Sequence, residues 1–385
     1  MPDSEHAREN SGSHPLLNRL RAPGPKRILA LDGGGIRGVI SLCFLKELEA
    51  TLRAQHDRPD LRLSDYFDLI GGTSTGSIIA AALALGQSVD EILERYCSMG
   101  RRIFEKKRFR LWQAVFHEDE LVAGINMTVG DVRLGDPAVK TGLCVVTKRA
   151  DTNSTWPLIN HPTGRFYEAN RAYRLADVVR ASVAAPVAFT PLRLPLGSGE
   201  SGTFVDGGVG VANSPALLLF LVATLGGFPF HWATGEKNLL LVSVGTGTWN
   251  WRLDAESMAR HRVWDWMTTV PAMIIQENTW MSQVLLQYLS RSPTAVVMDS
   301  ELGDLADDVL GGVPALSYLR YNTLLNPDRM AELGLPHLAG QVENLRKLHY
   351  AKGIPALLEI GTSEARRQVK APHLPPEFQM EGLTK

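Results

Sequence analysis

ILALDGGGIRG, residues 28–38, is an apolar run that ends in an acid and then places four glycines, Gly33, Gly34, Gly35 and Gly38, within six positions. The run reads as a buried strand and the glycines as a turn into a helix, because apolar residues recur at Leu45, Leu48 and Leu52 with helical spacing over 39–55. Two chemistries want such a turn. Gly33, Gly35 and Gly38 satisfy G-x-G-x-x-G, the spacing that brings backbone close to a dinucleotide's pyrophosphate. The same amides, unobstructed by side chains, can instead be aimed at an oxyanion. The stretch alone leaves both readings open.

The next strand narrows them. Residues 66–71 (YFDLIG) run through Gly71 and Gly72 into a helix of small residues over 77–85, and the junction is Gly72-Thr73-Ser74-Thr75-Gly76. G-x-S-x-G between strand and helix holds a serine in a strained turn with its hydroxyl exposed. A dinucleotide site wants an acid about 20 positions after the glycines, at the end of the second strand. Asp57 and Asp60 have that spacing but fall in the charged loop HDRPDLR before the strand. The oxyanion reading gains accordingly. A third strand end, Phe204-Val205-Asp206-Gly207-Gly208, supplies a carboxylate expected at the same sheet edge as Ser74, although an aspartate there also suits a plain turn.

Further strands are expected over 26–31, 143–147, 203–206 and 239–244, and helices over 175–184, 214–225 and 264–289. Ser88 with Glu91 forms a capping box for another helix ending near Phe104. Strands alternating with helices predict an α/β fold, a three-layer sandwich with a mostly parallel central sheet and its site at the strands' carboxyl ends. Residues 1–25 and 363–385 are polar or proline-rich and are expected to be tails.

With 40 basic and 41 acidic residues the net charge is −1, so no global field favours a nucleic-acid polymer. Three cysteines without C-x-x-C spacing predict neither a disulfide framework nor a metal site, and no run approaches the roughly 18 apolar residues of a spanning helix. The expectation is a cytoplasmic protein without metal or cofactor.

Together Asp32-Gly33-Gly34-Gly35-Ile36-Arg37-Gly38, Gly72-Thr73-Ser74-Thr75-Gly76 and Asp206-Gly207-Gly208, supported by Ala181-Ser182-Val183-Ala184-Ala185-Pro186 and Val244-Gly245-Thr246-Gly247, resemble the patatin-like phospholipase family, in the family's order. The resemblance implies a patatin-like acyl hydrolase domain over 26–362, with 250–362 less clearly matched, helical, and a candidate for substrate or effector selectivity. It implies a serine lipid acyl hydrolase acting on membrane glycerophospholipids, in peripheral contact with the membrane. Ser74 would be the nucleophile, Asp206 its partner, and the amides of Gly33, Gly34 and Gly35 the oxyanion hole. Arg37, Gly38, Gly72, Gly76, Gly207 and Gly208 complete the motifs. A bacterial defence member of the family would be switched on by a cyclic dinucleotide and act as a homo-oligomer.

Two alternatives stand beside it. One is a nucleotide-binding regulatory module using the first glycine loop, with Ser74 merely structural. The other is a Ser-Asp-His esterase, since His231, His261, His337 and His349 all follow Asp206. Residues 104–112 mix basic and aromatic side chains as an interfacial contact or a solvated helix end would. Trp249, Trp251, Trp264, Trp266 and Trp280 suit either an acyl cleft or core packing.

Overall fold

The computed structural model describes residues 14–105, 118–186, 188–197, 199–250 and 255–380. Nine strands form one sheet: β1 Lys26–Leu31, β2 Leu69–Thr73, β3 Gly142–Arg149, β4 Ser154–Ile159, β5 Leu192–Pro195, β6 Ser201–Asp206, β7 Leu239–Val244, β8 Ser290–Arg291 and β9 Leu316–Tyr321. They lie in the order β5-β6-β3-β2-β1-β7-β9-β8, with β4 also on β3. All pairings from β3 through β2, β1, β7 and β9 to β8 are parallel, whereas β4, β5 and β6 join antiparallel.

The principal helices are α1 Pro15–Arg21, α2 Gly38–Gln55, α3 Thr75–Ala84, α4 Val89–Glu105, α5 Glu118–Val129, α6 Leu175–Ser182, α7 Ala216–Thr224, α8 Val263–Tyr288 and α9 Ile354–Gln368. Strand alternation sorts side chains between two cores. Leu29 and Leu31 of β1 pack with α2, α3 and α9 on one face, while Ile28 and Ala30 pack with α1 and α7 on the other. The central strands are buried on both faces, which is why β7 is a nearly unbroken apolar run, LLLVSV. The capping box at Ser88 forms, with Ser88 N–H and Oγ both donating to the Glu91 carboxylate at 2.8 and 2.7 Å.

The register brings two strand ends face to face. β2 pairs with β3 as far as Thr73 opposite Val146, and β6 pairs with β3 from Arg149 back to Asp206 opposite Thr147. Because β4 occupies the other edge of the same β3 residues, β2 and β6 share one edge and meet end to end. The antiparallel β6 therefore delivers Asp206 beside the carboxyl end of β2.

Three expectations are corrected. The tail expected over 1–25 contains α1, whose Leu16 and Leu20 are buried and whose Arg19 donates to the Phe67 carbonyl at 2.8 Å. The tail expected over 363–385 begins inside α9, where Glu364 is fully buried and takes Arg329 Nε at 2.5 Å, and it continues to the buried Phe378. In both, a few apolar anchors outweigh polar composition. The strand expected from Tyr66 starts at Leu69, because Leu63–Tyr66 forms a helical turn. Residues 106–112 and Trp251 lie outside the described residues.

Candidate active site

Ser74 sits between β2 and α3 with φ +53° and ψ −131°. A non-glycine residue there stores on the order of 1–3 kcal/mol of backbone strain and persists only when its surroundings hold it. Here they do. Ser74 N–H donates to Ser182 Oγ at 2.9 Å, Ser182 Oγ donates to the Val146 carbonyl at 2.6 Å, and the Ser74 carbonyl accepts Ser77 Oγ at 2.6 Å. Ser74 precedes the first residue of α3, yet its hydroxyl does not cap the helix. It donates instead to Asp206 Oδ2 at 2.5 Å.

Asp206 is fixed independently. Its N–H donates to the Ala184 carbonyl at 3.0 Å, and its Oδ1 accepts the Gly208 N–H at 2.7 Å. Burial raises the carboxyl from its ordinary 3.8 to about 6, against the lowering effect of the hydrogen bonds from Ser74 and Gly208. Gly207 lets this turn form, since a Cβ there would lie 2.5 Å from the Val146 carbonyl oxygen. Gly76 does the same for the serine turn, where a Cβ would meet the Leu31 carbonyl oxygen at 2.4 Å, and Gly72 lies beneath it, against Gly76.

The first glycine loop abuts this pair: a Cβ on Gly33 would stand 3.1 Å from Ser74 Cβ. Gly35 has φ +56°, and its carbonyl accepts Tyr96 Oη at 2.6 Å. The Gly33 carbonyl accepts Thr246 Oγ1 at 3.1 Å, and Gly38 starts α2 against the Tyr96 hydroxyl. Arg37 is buried, donates to the Gly247 carbonyl at 3.2 Å and lies over the Trp249 ring; burial lowers its guanidinium to about 10.

The amides of the loop are not equivalent. Gly33 N–H is consumed by the Asn213 carbonyl at 3.0 Å, which removes it from the expected trio of donors. Gly34 N–H has only a long 3.3 Å contact to Thr75 Oγ1, and Gly35 N–H has no acceptor among the described residues. Thr75 is the first residue of α3, and no side chain caps that N-terminus, so its amide is one of the helix's unsatisfied first-turn donors.

Sequence reasoning missed the partner of Asp32. Arg320 on β9 binds its carboxylate with both terminal nitrogens, at 2.6 and 3.1 Å, and also reaches Ser243 Oγ at 2.7 Å. All three are buried. The signal lay in LSYLRY, a charge inside an otherwise apolar strand.

Ser74, Asp206, Gly34 and Gly35 open into a cavity of about 810 Å³, within the usual span of small-molecule sites. Ile78, Ile103, Leu121 and Phe189 line it on one side, and Ile275 and Trp280 of α8 on another. Of the four candidate histidines, His349 lines this cavity, while His231 is exposed, His261 contacts the Met258 carbonyl and His337 pairs with Glu359 at the surface.

A serine hydrogen-bonded to a buried carboxylate, beside free amides and an apolar cavity at the carboxyl ends of a parallel sheet, defines an α/β ester hydrolase. Residues 29–220 match the patatin-like phospholipase family, and the chain belongs to that family. It is a carboxylic ester hydrolase of the lipid acyl hydrolase class. Patatin group J-1 from Solanum tuberosum is 28% identical over 275 residues, 66% of this chain and 70% of that protein. Patatin-1-Kuras 2 from the same organism is 26% identical over 351 residues, 86% and 89% of the two chains. The solved structure of VipD from Legionella pneumophila covers 85% of this chain and 67% of its own at 15% identity, with a TM-score of 0.34, too low to bear on the fold.

Proposed function

We propose that the protein cleaves fatty acyl esters of membrane glycerophospholipids through Ser74 and Asp206. The carrying observation is the 2.5 Å bond from Ser74 Oγ to a buried Asp206 whose basicity burial has raised, at the floor of an apolar cavity. Ser74 Oγ attacks the ester carbonyl carbon as its proton passes to Asp206. The carbonyl oxygen becomes an oxyanion held by the amides of Gly34, Gly35 and Thr75. Collapse breaks the bond to the glycerol oxygen, which takes the proton from Asp206. Water then attacks the acyl-serine, losing its proton to Asp206, and a second collapse releases the fatty acid and returns that proton to Ser74.

A carboxyl near 6 is a far better base at neutral pH than one at its ordinary value, so burial supplies part of what a histidine provides elsewhere. The Ser74 strain and the Gly34, Gly35 and Thr75 donors are set before substrate arrives, so little reorganisation is needed in the transition state. A fluorophosphonate probe tests the reading directly. It should label Ser74, as mapped by peptide mass, and block fatty acid release from phospholipid. Labelling elsewhere, or release that survives Ser74→Ala, would remove Ser74 from the chemistry.

A further inference from the structure

Polarity is not spread evenly around the cavity. On α4 the lining residues are Tyr96, Met99, Gly100, Ile103 and Phe104, a stripe at spacings of three and four that occupies one helix face. Its two ends differ. Tyr96 Oη donates to the Gly35 carbonyl at 2.6 Å, and Ile36 fills the notch at Gly100, where a Cβ would lie 2.3 Å from its Cδ1. Some two turns beyond Tyr96, about 12 Å along the axis, the stripe ends in Ile103 and Phe104. Ile78 of α3, Leu121 of α5 and Phe189 line the cavity too, and all three pack in one buried core with Ile103. Among the described lining residues over 75–189, the polar side chains are Thr75 and Tyr96, and both contact the glycine loop.

Elsewhere the wall is mixed: α8 sets Gln276, Thr279 and Gln283 among Ile275 and Trp280, and Asn322, which follows β9, adds an amide. A polymethylene chain laid there would strip water from amides and hydroxyls without replacing its hydrogen bonds, whereas along α4 its methylenes meet apolar side chains. We infer that the substrate's fatty acyl chain lies along the α4 stripe, from Tyr96 toward Phe104, and that Ile103 and Leu121 set the acyl length it accommodates. The inference rests on the proposed function in that the chain is the acyl part of the ester attacked by Ser74. At about 1.25 Å per carbon, from tetrahedral angles and a bond of about 1.52 Å, the stripe holds about ten carbons of an extended chain. A decanoyl chain therefore reaches Ile103, whereas a butanoyl chain covers about 5 Å and stops short of it. Each methylene moved from water into such an arm adds about fourfold in affinity.

The test compares kcat/KM for p-nitrophenyl decanoate and p-nitrophenyl butanoate, both kept below aggregation, in the full chain. The parent should favour the decanoate by at least about tenfold. Ile103→Trp should lower the decanoate-to-butanoate ratio by about tenfold or more, and Leu121→Trp should do the same from α5. A side chain that only supports the fold would lower both rates alike and keep the ratio. Thr279→Trp, on the mixed wall, should leave the ratio at the parental value. Calorimetry supplies a readout free of chemistry: in chains carrying Ser74→Ala, decanol should bind about tenfold more weakly once either tryptophan is added. If the parent turned over neither ester while decanol binding still fell in those variants, the Ser74 reading would fail and the acyl arm would stand. A ratio that neither Ile103→Trp nor Leu121→Trp lowers would overturn the inference, as would a loss of decanoate preference confined to Thr279→Trp.

Discussion

Two halves of the site are built on different principles. The ends of β1, β2 and β6 are made of backbone: Gly76 and Gly207 stand where a Cβ would lie within about 2.5 Å of a carbonyl oxygen, so the residue type is dictated by sterics. The C-terminal part, from β7 onward, contributes side chains instead. Thr246 braces the glycine loop, Arg320 holds Asp32, and α8 forms a cavity wall. The first half sets the reacting atoms and the second keeps them in register. The comparison makes both halves breakable.

The largest effect belongs to the backbone half. Ser74→Ala should lower phospholipid turnover by at least about 10⁴-fold, the scale seen when a sole nucleophile is removed. Ser74 Oγ makes no helix cap and its backbone bonds survive the change, so thermal unfolding should keep its cooperativity. Turnover well above background would mean that the strained turn is structural.

Arg320→Met tests the side-chain half. Removing one member of a buried ion pair costs about 3–5 kcal/mol, because the Asp32 carboxylate would be left in the core without its cation. Asp32→Asn combined with Arg320→Met should recover much of that loss in a denaturant titration. Additive losses would show that Arg320 acts through Ser243 or the strand itself. Gly34→Ala should follow in size. A Cβ there falls 2.2 Å from Thr246 Oγ1, so the loop must shift and the proposed oxyanion donors with it, and losing one such donor costs about 10²–10³-fold in kcat. Thr246→Gly in the same chain removes the clashing atoms and should restore part of the rate. No recovery would separate the brace from the loop.

These pairs also explain what was legible in the sequence. Ser74, Asp206 and their glycines were visible because a tight turn limits which residues can occupy it. Arg320, Asn213 and the brace from Thr246 were not, since each acts on a group more than 170 residues away in the chain. The loss of the Gly33 amide to Asn213 is of the same kind: glycine spacing marks which amides are unobstructed, but a tertiary acceptor decides which remain free. Tails were misjudged because Leu20 and Phe378 find their pockets only in the folded chain.

Asp206 gives a pH signature with opposite signs for rate and stability. As the proposed base it must be ionised, so kcat/KM should fall about tenfold per pH unit below about 6. That is close enough to a histidine that the acid limb does not distinguish a dyad from a triad. Stability runs the other way. The folded carboxyl is raised from 3.8, so its stabilising contribution is complete below 3.8 and lost as pH rises through 6, a swing of about 3 kcal/mol. Asp206→Asn should therefore abolish turnover while making the fold more stable than the parent at pH 8, with the advantage vanishing near pH 4. A variant less stable at both pH values would show that the hydrogen bond to Ser74 outweighs burial.

The smallest expected effect is that of the histidines, and it decides between the two kinds of half-site most finely. His349 is the candidate that lines the cavity, and it comes from the side-chain half; Asp206 spends its two carboxylate oxygens on Ser74 and Gly208. Ser74 Oγ already donates to a carboxylate without it, and that carboxylate is the base in the proposed mechanism. His349→Ala should then change KM for lipid by a few-fold through the cavity wall and leave kcat within about twofold, less than 1 kcal/mol. His231, His261 and His337 are not among the residues that line the cavity, so replacing each by alanine should leave both constants unchanged. The measurement is steady-state turnover of phospholipid and of a soluble ester by each folded variant. If His349→Ala instead removed kcat as Ser74→Ala does, the base would lie in the C-terminal half, Asp206 would become the group that fixes the serine turn, and the division between backbone chemistry and side-chain support would fail.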